Sequence, residues 1–248
     1  MMLWVGTSWK MNGTRAFARD YARALAGLDV ASLGDIQPFI IPSFTAIDVV
    51  ASELEGTRIL VGAQNAAWED AGAWTGEVSI PQAIDAGATL IEMGHSERRE
   101  YFGETDETVN LKIKAALRHG AIPLVCFGEP AEVFEAGETL PFITAQINAA
   151  LDGIADTSRV LLAYEPIWAI GEHGRPPRRE DLVRTFAALT ERYGDRVEAI
   201  LYGGSVNHDN NKDILGIPGV GGLFIGRSAW TAEGYIRNLE LATEAMRE

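Results

Sequence analysis

The sequence has almost no cysteine: Cys126 is the single one among 248 residues. One cysteine excludes an internal disulfide, which is compatible with a reducing compartment. Because Cys126 lies in the apolar run 122–127, the sequence favours a small buried residue there, with a reactive nucleophile as the alternative.

Basic residues are also scarce, since 21 Lys and Arg face 35 Asp and Glu, a net charge of −14. This balance argues against nucleic acid and anionic membranes as partners, because both are bound through basic surfaces. No window approaches the roughly 18 apolar residues of a membrane span, and the N-terminus lacks the basic segment of a secretory signal. We therefore expect a cytoplasmic protein.

No linker or low-complexity tract divides the chain, so residues 1–248 are expected to form a single domain. Apolar runs without polar alternation are typical of parallel strands buried on both faces. Helical periodicity between the runs predicts an α/β fold with a closed (β/α)₈ barrel, for which about 250 residues is typical; an open doubly wound sheet is the alternative. The predicted strands are 3–6, 39–41, 59–63, 89–93, 122–127, 160–164, 199–202 and 223–225.

Polar residues at the ends of the strands are the candidates for chemistry, because barrel sites form at the C-terminal ends of strands. Lys10 follows the first strand, where its ammonium faces either an anionic ligand or solvent. His95 follows the fourth strand, before a helix for which Ser96 is the predicted N-cap. The positive end of that helix disfavours imidazolium, and a neutral imidazole can still donate one hydrogen bond. A metal site is a weak alternative, since no second histidine lies at ligand spacing.

Glu165 follows the sixth strand and precedes a proline and apolar residues. An ordinary salt bridge is one interpretation, but apolar neighbours that close over the carboxylate would make it a stronger base. The segment from Gly171 to Pro177 predicts a lid. Glycine clusters after the last two strands, at 203–204 and at 226, let backbone N–H groups approach a phosphate, although tight turns explain them about as well.

Four motifs resemble those of the triosephosphate isomerase family: WKMN from Trp9, GHSERR from Gly94, AYEPIWAIG from Ala163 and LYGGSVN from Leu201. They occur in the family's order, and the match covers residues 3–230. The resemblance implies a TIM barrel, no metal or other cofactor, and an intramolecular oxidoreductase that isomerises a small phosphorylated sugar.

The same resemblance implies the roles of the site residues. Glu165 would transfer a proton between neighbouring carbons through an enediol, and His95 would polarise the carbonyl. Lys10, supported by Glu97, would offset the developing negative charge. The implied substrate-binding residues are Ser8, Lys10, Gly171, Ser205, Gly226 and Arg227.

The loop 71–76 resembles the family's segment that docks into a second subunit, so we expect a homodimer. Trp68 and Trp74 are large apolar residues of this region, and they suit a buried interface better than water.

Three features of the sequence depart from the family's usual pattern. Ser8 stands where asparagine is usual, the lid reads EHGR from Glu172 where TGKT is usual, and Arg227 replaces a glycine. The segments that contain them, GTSWK from Gly6, the lid at 171–172 and GLFIGRS from Gly222, resemble tetrulose-phosphate isomerases of erythritol catabolism. Those enzymes interconvert L-erythrulose 1-phosphate and D-erythrulose 4-phosphate. The alternative is drift in an ordinary triosephosphate isomerase of glycolysis and gluconeogenesis, acting on glyceraldehyde 3-phosphate and dihydroxyacetone phosphate. A non-catalytic barrel that only binds a ligand is the rival from another class, and the presence of Glu165, His95 and Lys10 argues against it.

Overall fold

The computed structural model describes residues 2–170 and 174–247. Its eight parallel strands pair in sequence order, and the last pairs with the first to close a barrel. This closure confirms the predicted fold class and excludes the open sheet. The strands are β1 (Leu3–Ser8), β2 (Ile36–Ile41), β3 (Leu60–Ala63), β4 (Leu90–Met93), β5 (Ile122–Phe127), β6 (Leu161–Tyr164), β7 (Ala199–Tyr202) and β8 (Gly222–Ile225).

Helices connect successive strands, as right-handed crossovers require. The first begins after its N-cap Thr14, whose hydroxyl accepts a hydrogen bond from the Phe17 N–H. In the described part of the chain, no helix is long and apolar enough to cross a membrane. The helices are α1 (Arg15–Ala26), α2 (Ile47–Glu53), α3 (Ile80–Asp85), α4 (Ser96–Phe102), α5 (Asp106–Arg118), α6 (Ala131–Glu135), α7 (Thr139–Ala150), α8 (Arg179–Tyr193), α9 (Asn211–Leu215) and α10 (Ala232–Ala245).

Side chains alternate between the two faces of each strand, as the pleat requires. In β4, Leu90 belongs to the cluster that fills the barrel, whereas Ile91 and Met93 belong to the larger cluster beneath the helices. Cys126 of β5 points into the barrel and is completely buried. Burial raises the pKa of its thiol well above the ordinary value, so Cys126 is an inert core residue at neutral pH.

Candidate active site

A cavity of about 400 Å³ opens at the C-terminal ends of the strands. Gly171, predicted to bind substrate, and Glu172 of the lid lie outside the described residues. Within the described ranges, no group of three or more His, Cys, Asp or Glu side chains could hold a metal ion. The cavity is lined by every other residue predicted for the site: Ser8, Lys10, His95, Glu97, Glu165, Ser205, Gly226 and Arg227.

His95 is held in one orientation by the start of α4. The N-cap is His95 itself, and Ser96 is the first helical residue, so the prediction of Ser96 as the N-cap was wrong by one position. The reason is that an imidazole nitrogen can cap a helix: His95 Nδ1 accepts the Glu97 backbone N–H at 3.2 Å. Because Nδ1 accepts there, the proton of the neutral ring resides on Nε2.

Glu165 lies opposite His95 and is only 3% exposed. Its Oε1 is 3.6 Å from His95 Nε2, while its Oε2 is buried without a hydrogen-bond partner among the described residues. A side chain at position 203 would crowd the carboxylate, because a Cβ built on Gly203 lies 2.9 Å from Glu165 Cγ. The site therefore holds a buried carboxylate with one free oxygen, which is suited to accept a proton.

Lys10 enters the pocket from a strained backbone position. Its φ of 55° is the only positive value at a non-glycine residue of the described chain, and such a conformation costs on the order of 1 kcal/mol. The Gln64 amide stabilises the turn by donating to the Lys10 carbonyl at 2.8 Å. Glu97 Oε1 accepts from Lys10 Nζ at 2.5 Å, which fixes the ammonium at the pocket wall.

The loops after β7 and β8 form the other side of the pocket. Ser228 Oγ donates to the Val206 carbonyl at 2.8 Å and so joins the two loops. Trp230 Nε1 donates to the Ser8 carbonyl at 3.1 Å, which ties the second loop to β1. Arg227 lines the pocket and is exposed. Its guanidinium makes no ion pair or hydrogen bond within residues 2–170 and 174–247, so it can bind an anionic ligand.

Residues on both sides of the segment 171–173 contact the region that follows β5. Trp168 Nε1 donates to the buried Glu129 carboxylate at 2.9 Å, and its ring packs on Phe134 with centroids 4.1 Å apart. Beyond the segment 171–173, the Arg175 guanidinium lies 5.3 Å from the centroids of both rings. Arg175 is the last residue of the EHGR segment, in which this lid differs from the usual family sequence. It forms a cation–π contact at the C-terminal side of the lid.

Glu92 is a site residue that the sequence analysis missed. It is 3% exposed and follows Leu90 by two positions on β4, so its side chain points into the barrel. Ser8 Oγ donates to Glu92 Oε2 at 2.7 Å. Burial is the main cause that raises the pKa of Glu92 from its ordinary value of 4.5 to about 7. The available signal was an acidic residue inside the apolar run 89–93.

Large apolar side chains are exposed on loops and helices that follow β1, β3 and β4. Met11, Trp74, Tyr101 and Phe102 are 96%, 42%, 68% and 70% exposed. Trp68 contacts Trp74 edge to face, with ring centroids 5.2 Å apart. Trp74 and Phe102 line one shallow cavity. Because neighbouring exposed apolar side chains often mark interaction sites, these four residues, the apolar rim, are candidates for a protein interface.

Known proteins match both the fold and the sequence. A family model described as triosephosphate isomerase matches residues 3–242. An L-erythrulose-1-phosphate isomerase of Mycolicibacterium smegmatis is 57% identical over 97% of this chain and 93% of that protein. An L-erythrulose-1-phosphate isomerase of Mesorhizobium japonicum is 50% identical over 99% of each.

Among solved structures, a triosephosphate isomerase from Bartonella henselae superposes with a TM-score of 0.87 at 29% identity, covering 100% of both chains. The motifs, the closed barrel and the pocket at its C-terminal face thus agree with a family match over nearly the whole sequence. The chain belongs to the triosephosphate isomerase family.

Proposed function

We propose that this isomerase interconverts L-erythrulose 1-phosphate and D-erythrulose 4-phosphate. The observation that carries the proposal is the full-length identity of 57% and 50% to proteins with that activity in their names. The departures at Ser8 and Arg227 support it, because both line the pocket while the proposed catalytic side chains are those expected of any family member.

The chemistry is a proton transfer between neighbouring carbons. L-Erythrulose 1-phosphate has its carbonyl at C2 and a hydroxyl at C3. The Glu165 carboxylate takes the C3 proton, and the C3–H electrons form the C2=C3 bond of an enediolate. The proton of the C3 hydroxyl moves to the C2 oxygen, and Glu165 returns the carbon-bound proton to C2. These two transfers leave a hydroxyl at C2 and the carbonyl at C3. No atom is gained or lost, so no cofactor is needed.

The surrounding groups stabilise the negative charge that develops on the carbonyl oxygen. His95 Nε2–H is the donor to that oxygen, since Nδ1 already accepts the Glu97 N–H. The Lys10 ammonium, held by Glu97, supplies a positive charge to the same region. A glutamate base with a neutral histidine is the established arrangement in triosephosphate isomerase, so these roles come to Glu165 and His95 by family membership.

Phosphate binding is assigned to the loops after β7 and β8. Ser205 and Gly226 line the pocket, and Arg227 adds a guanidinium that suits an oxyanion. Gly171 is proposed to contribute from the lid, whose closure would exclude water and protect the enediolate.

The decisive experiment compares kcat/KM for L-erythrulose 1-phosphate and glyceraldehyde 3-phosphate side by side. We expect the tetrulose phosphate to be preferred by at least tenfold. Ser8→Asn should then depress tetrulose-phosphate turnover more than triose-phosphate turnover, because the larger amide occupies space that the additional hydroxymethyl group requires.

One result would contradict the proposed substrate, and another would contradict only the role given to Ser8. A preference for glyceraldehyde 3-phosphate, with a rate near the diffusional ceiling of about 10⁸–10⁹ M⁻¹s⁻¹, would identify a triosephosphate isomerase. Equal losses of both activities in Ser8→Asn would show that Ser8 does not select the substrate by size.

A homodimer is proposed on the basis of the apolar rim. An interface there would remove Trp74, Tyr101 and Phe102 from water, and aromatic residues of this kind supply much of the binding energy at interfaces. We expect sedimentation equilibrium to show a dimer. Phe102→Ser should weaken it by roughly 30-fold, the effect of losing one interface hot spot.

The matched control for Phe102→Ser is Val183→Ser, which alters an exposed apolar residue of α8, 38% exposed and outside the apolar rim. Val183→Ser should leave the dissociation constant unchanged. A wild-type monomer at micromolar concentration, or equal weakening by both variants, would contradict an interface at the apolar rim.

A cytoplasmic location in erythritol catabolism completes the proposal. It is supported by the absence of a membrane-spanning helix among the described residues and by the single, buried cysteine. Cell fractionation checks the location: recovery of the protein with the membrane or secreted fraction would contradict it.

A further inference from the structure

Ser8 and Glu92 form a polar pair inside the barrel, beside the apolar cluster that fills much of it. They come from β1 and β4, which lie on nearly opposite sides of the closed sheet. Glu92 lies within β4, whereas His95 follows that strand. Ser8 lines the pocket, and Glu92 accepts a hydrogen bond from it. We call these two residues the polar floor.

The charge of Glu92 decides which hydrogen bonds Ser8 can offer. An ionised carboxylate only accepts, so the Ser8 hydroxyl must donate to it, and the 2.7 Å contact is of the strong charge-assisted kind. Ser8 Oγ then presents its lone pairs to the pocket as an acceptor. When Glu92 is protonated, its own O–H can donate to Ser8, and this reverses the polarity of the pair.

The proposed substrates differ at the end that faces away from the phosphate. A tetrulose phosphate carries a hydroxymethyl group on the reacting carbon, where dihydroxyacetone phosphate carries only hydrogen. With the phosphate at the loops after β7 and β8 and the reacting carbon at Glu165, the added hydroxymethyl group lies at the end of the substrate away from those loops. Ser8 lines the same pocket, and its hydroxyl is the part of the polar floor that a ligand in the pocket can contact.

We propose that ionised Glu92, acting through Ser8, orients an acceptor for the C4 hydroxyl and thereby makes the enzyme prefer four-carbon ketose phosphates. This inference rests on the proposed function. Glu92 is a positioning residue in this scheme: it touches Ser8, and Ser8 touches the substrate. The C4 hydroxyl donates a hydrogen bond to Ser8, and Ser8 donates one to Glu92. This arrangement forms no covalent bond and releases no proton.

Other ionisable groups face Glu92 from each neighbouring part of the site. They are Lys10 after β1, His95 after β4, Cys126 on β5 and Glu165 after β6. Burial raises the pKa of Glu92 to about 7, so the polarity of the floor should change within the physiological range. Measurement must therefore separate Glu92 from groups that act on every substrate.

The ratio of kcat/KM for L-erythrulose 1-phosphate to kcat/KM for glyceraldehyde 3-phosphate achieves this separation. Both substrates carry a phosphate and need the same catalytic groups, so those ionisations cancel in the ratio. We expect the wild-type ratio to rise as the pH increases through about 7. In Glu92→Gln the ratio should be about tenfold lower at pH 8, the effect of one hydrogen bond, and independent of pH.

A double-mutant cycle tests whether Glu92 acts through Ser8. In a Ser8→Ala background, Glu92→Gln should change the ratio by less than about twofold, since the intermediary is already absent. Thermal unfolding of each variant checks that it is folded, and the wild-type pH dependence tests the inference even if a variant is not.

The outcomes distinguish this inference from the proposed function. Wild-type preference for glyceraldehyde 3-phosphate overturns both. If the wild type prefers the tetrulose phosphate, the inference alone is overturned by a ratio that is flat with pH, by equal losses on both substrates in Glu92→Gln, or by additive effects of the two substitutions.

Discussion

Glu165→Gln is expected to lower kcat about a thousandfold, within the range of roughly 10² to 10⁴ that general-base catalysis contributes. The amide has nearly the same size as the carboxylate and occupies the same buried position, but it cannot accept the substrate's proton. Packing against Gly203 and the approach of His95 should be preserved, so the loss should appear in kcat rather than in folding. Steady-state kinetics with the preferred substrate measures it.

Glu165→Asp is the matched control, because it keeps the carboxylate and withdraws it by one methylene. Its activity should fall between those of the wild type and Glu165→Gln. Exchange of the substrate's C3 hydrogen in deuterium oxide gives a second readout, since it requires proton abstraction without complete turnover. If Glu165→Gln kept a tenth of the activity or normal exchange, another group would have to be the base.

The barrel could be predicted because its strands are short apolar runs that the hydrophobicity pattern of the sequence identifies. The same pattern does not define where each strand begins and ends. The structure starts β2 at Ile36, three residues before the predicted start. Gln37 and Pro38 interrupt the apolar run, and yet both lie in the ladder with β1. The Gln37 amide donates to the Arg58 carbonyl at 2.7 Å, a contact between residues distant in sequence that local propensity cannot indicate.

Most of the pocket could be predicted for a related reason: most of its residues lie at the end of a strand or shortly after it, and the barrel brings strand ends together. The sequence analysis did not identify Glu92 because this residue lies within a strand. Its hydrogen-bond partner Ser8 is 84 positions away in the sequence. Whether a buried acid is charged, paired or neutral is decided by groups that only the folded barrel assembles. The orientation of His95 could not be predicted either, because sequence alone does not decide whether His95 or Ser96 is the N-cap of α4.

Glu92→Gln is also expected to change stability, with a dependence on pH that identifies the buried carboxyl. The pKa of Glu92 is raised from 4.5 to about 7 in the folded protein. Between these values the folded state binds more protons than the unfolded state, so stability falls as the pH rises. The contribution of protonated Glu92 is fully present below pH 4.5 and is lost as the pH rises through about 7.

The expected size of this loss is about 3 kcal/mol, since each unit of pKa difference corresponds to about 1.4 kcal/mol. Glutamine does not titrate, so the free energy of unfolding of Glu92→Gln relative to wild type should increase by about that amount between pH 4.5 and pH 8. Urea unfolding at fixed protein concentration measures the difference and keeps any dimerisation constant.

Glu55→Gln provides the control for the stability measurement, because Glu55 is exposed and its replacement should shift the curve little at any pH. A difference between Glu92→Gln and wild type that is constant from pH 4.5 to 8 would mean that Glu92 keeps one protonation state throughout. In that case the polar floor would have a fixed polarity, and the ratio of kcat/KM for the two substrates should not change with pH.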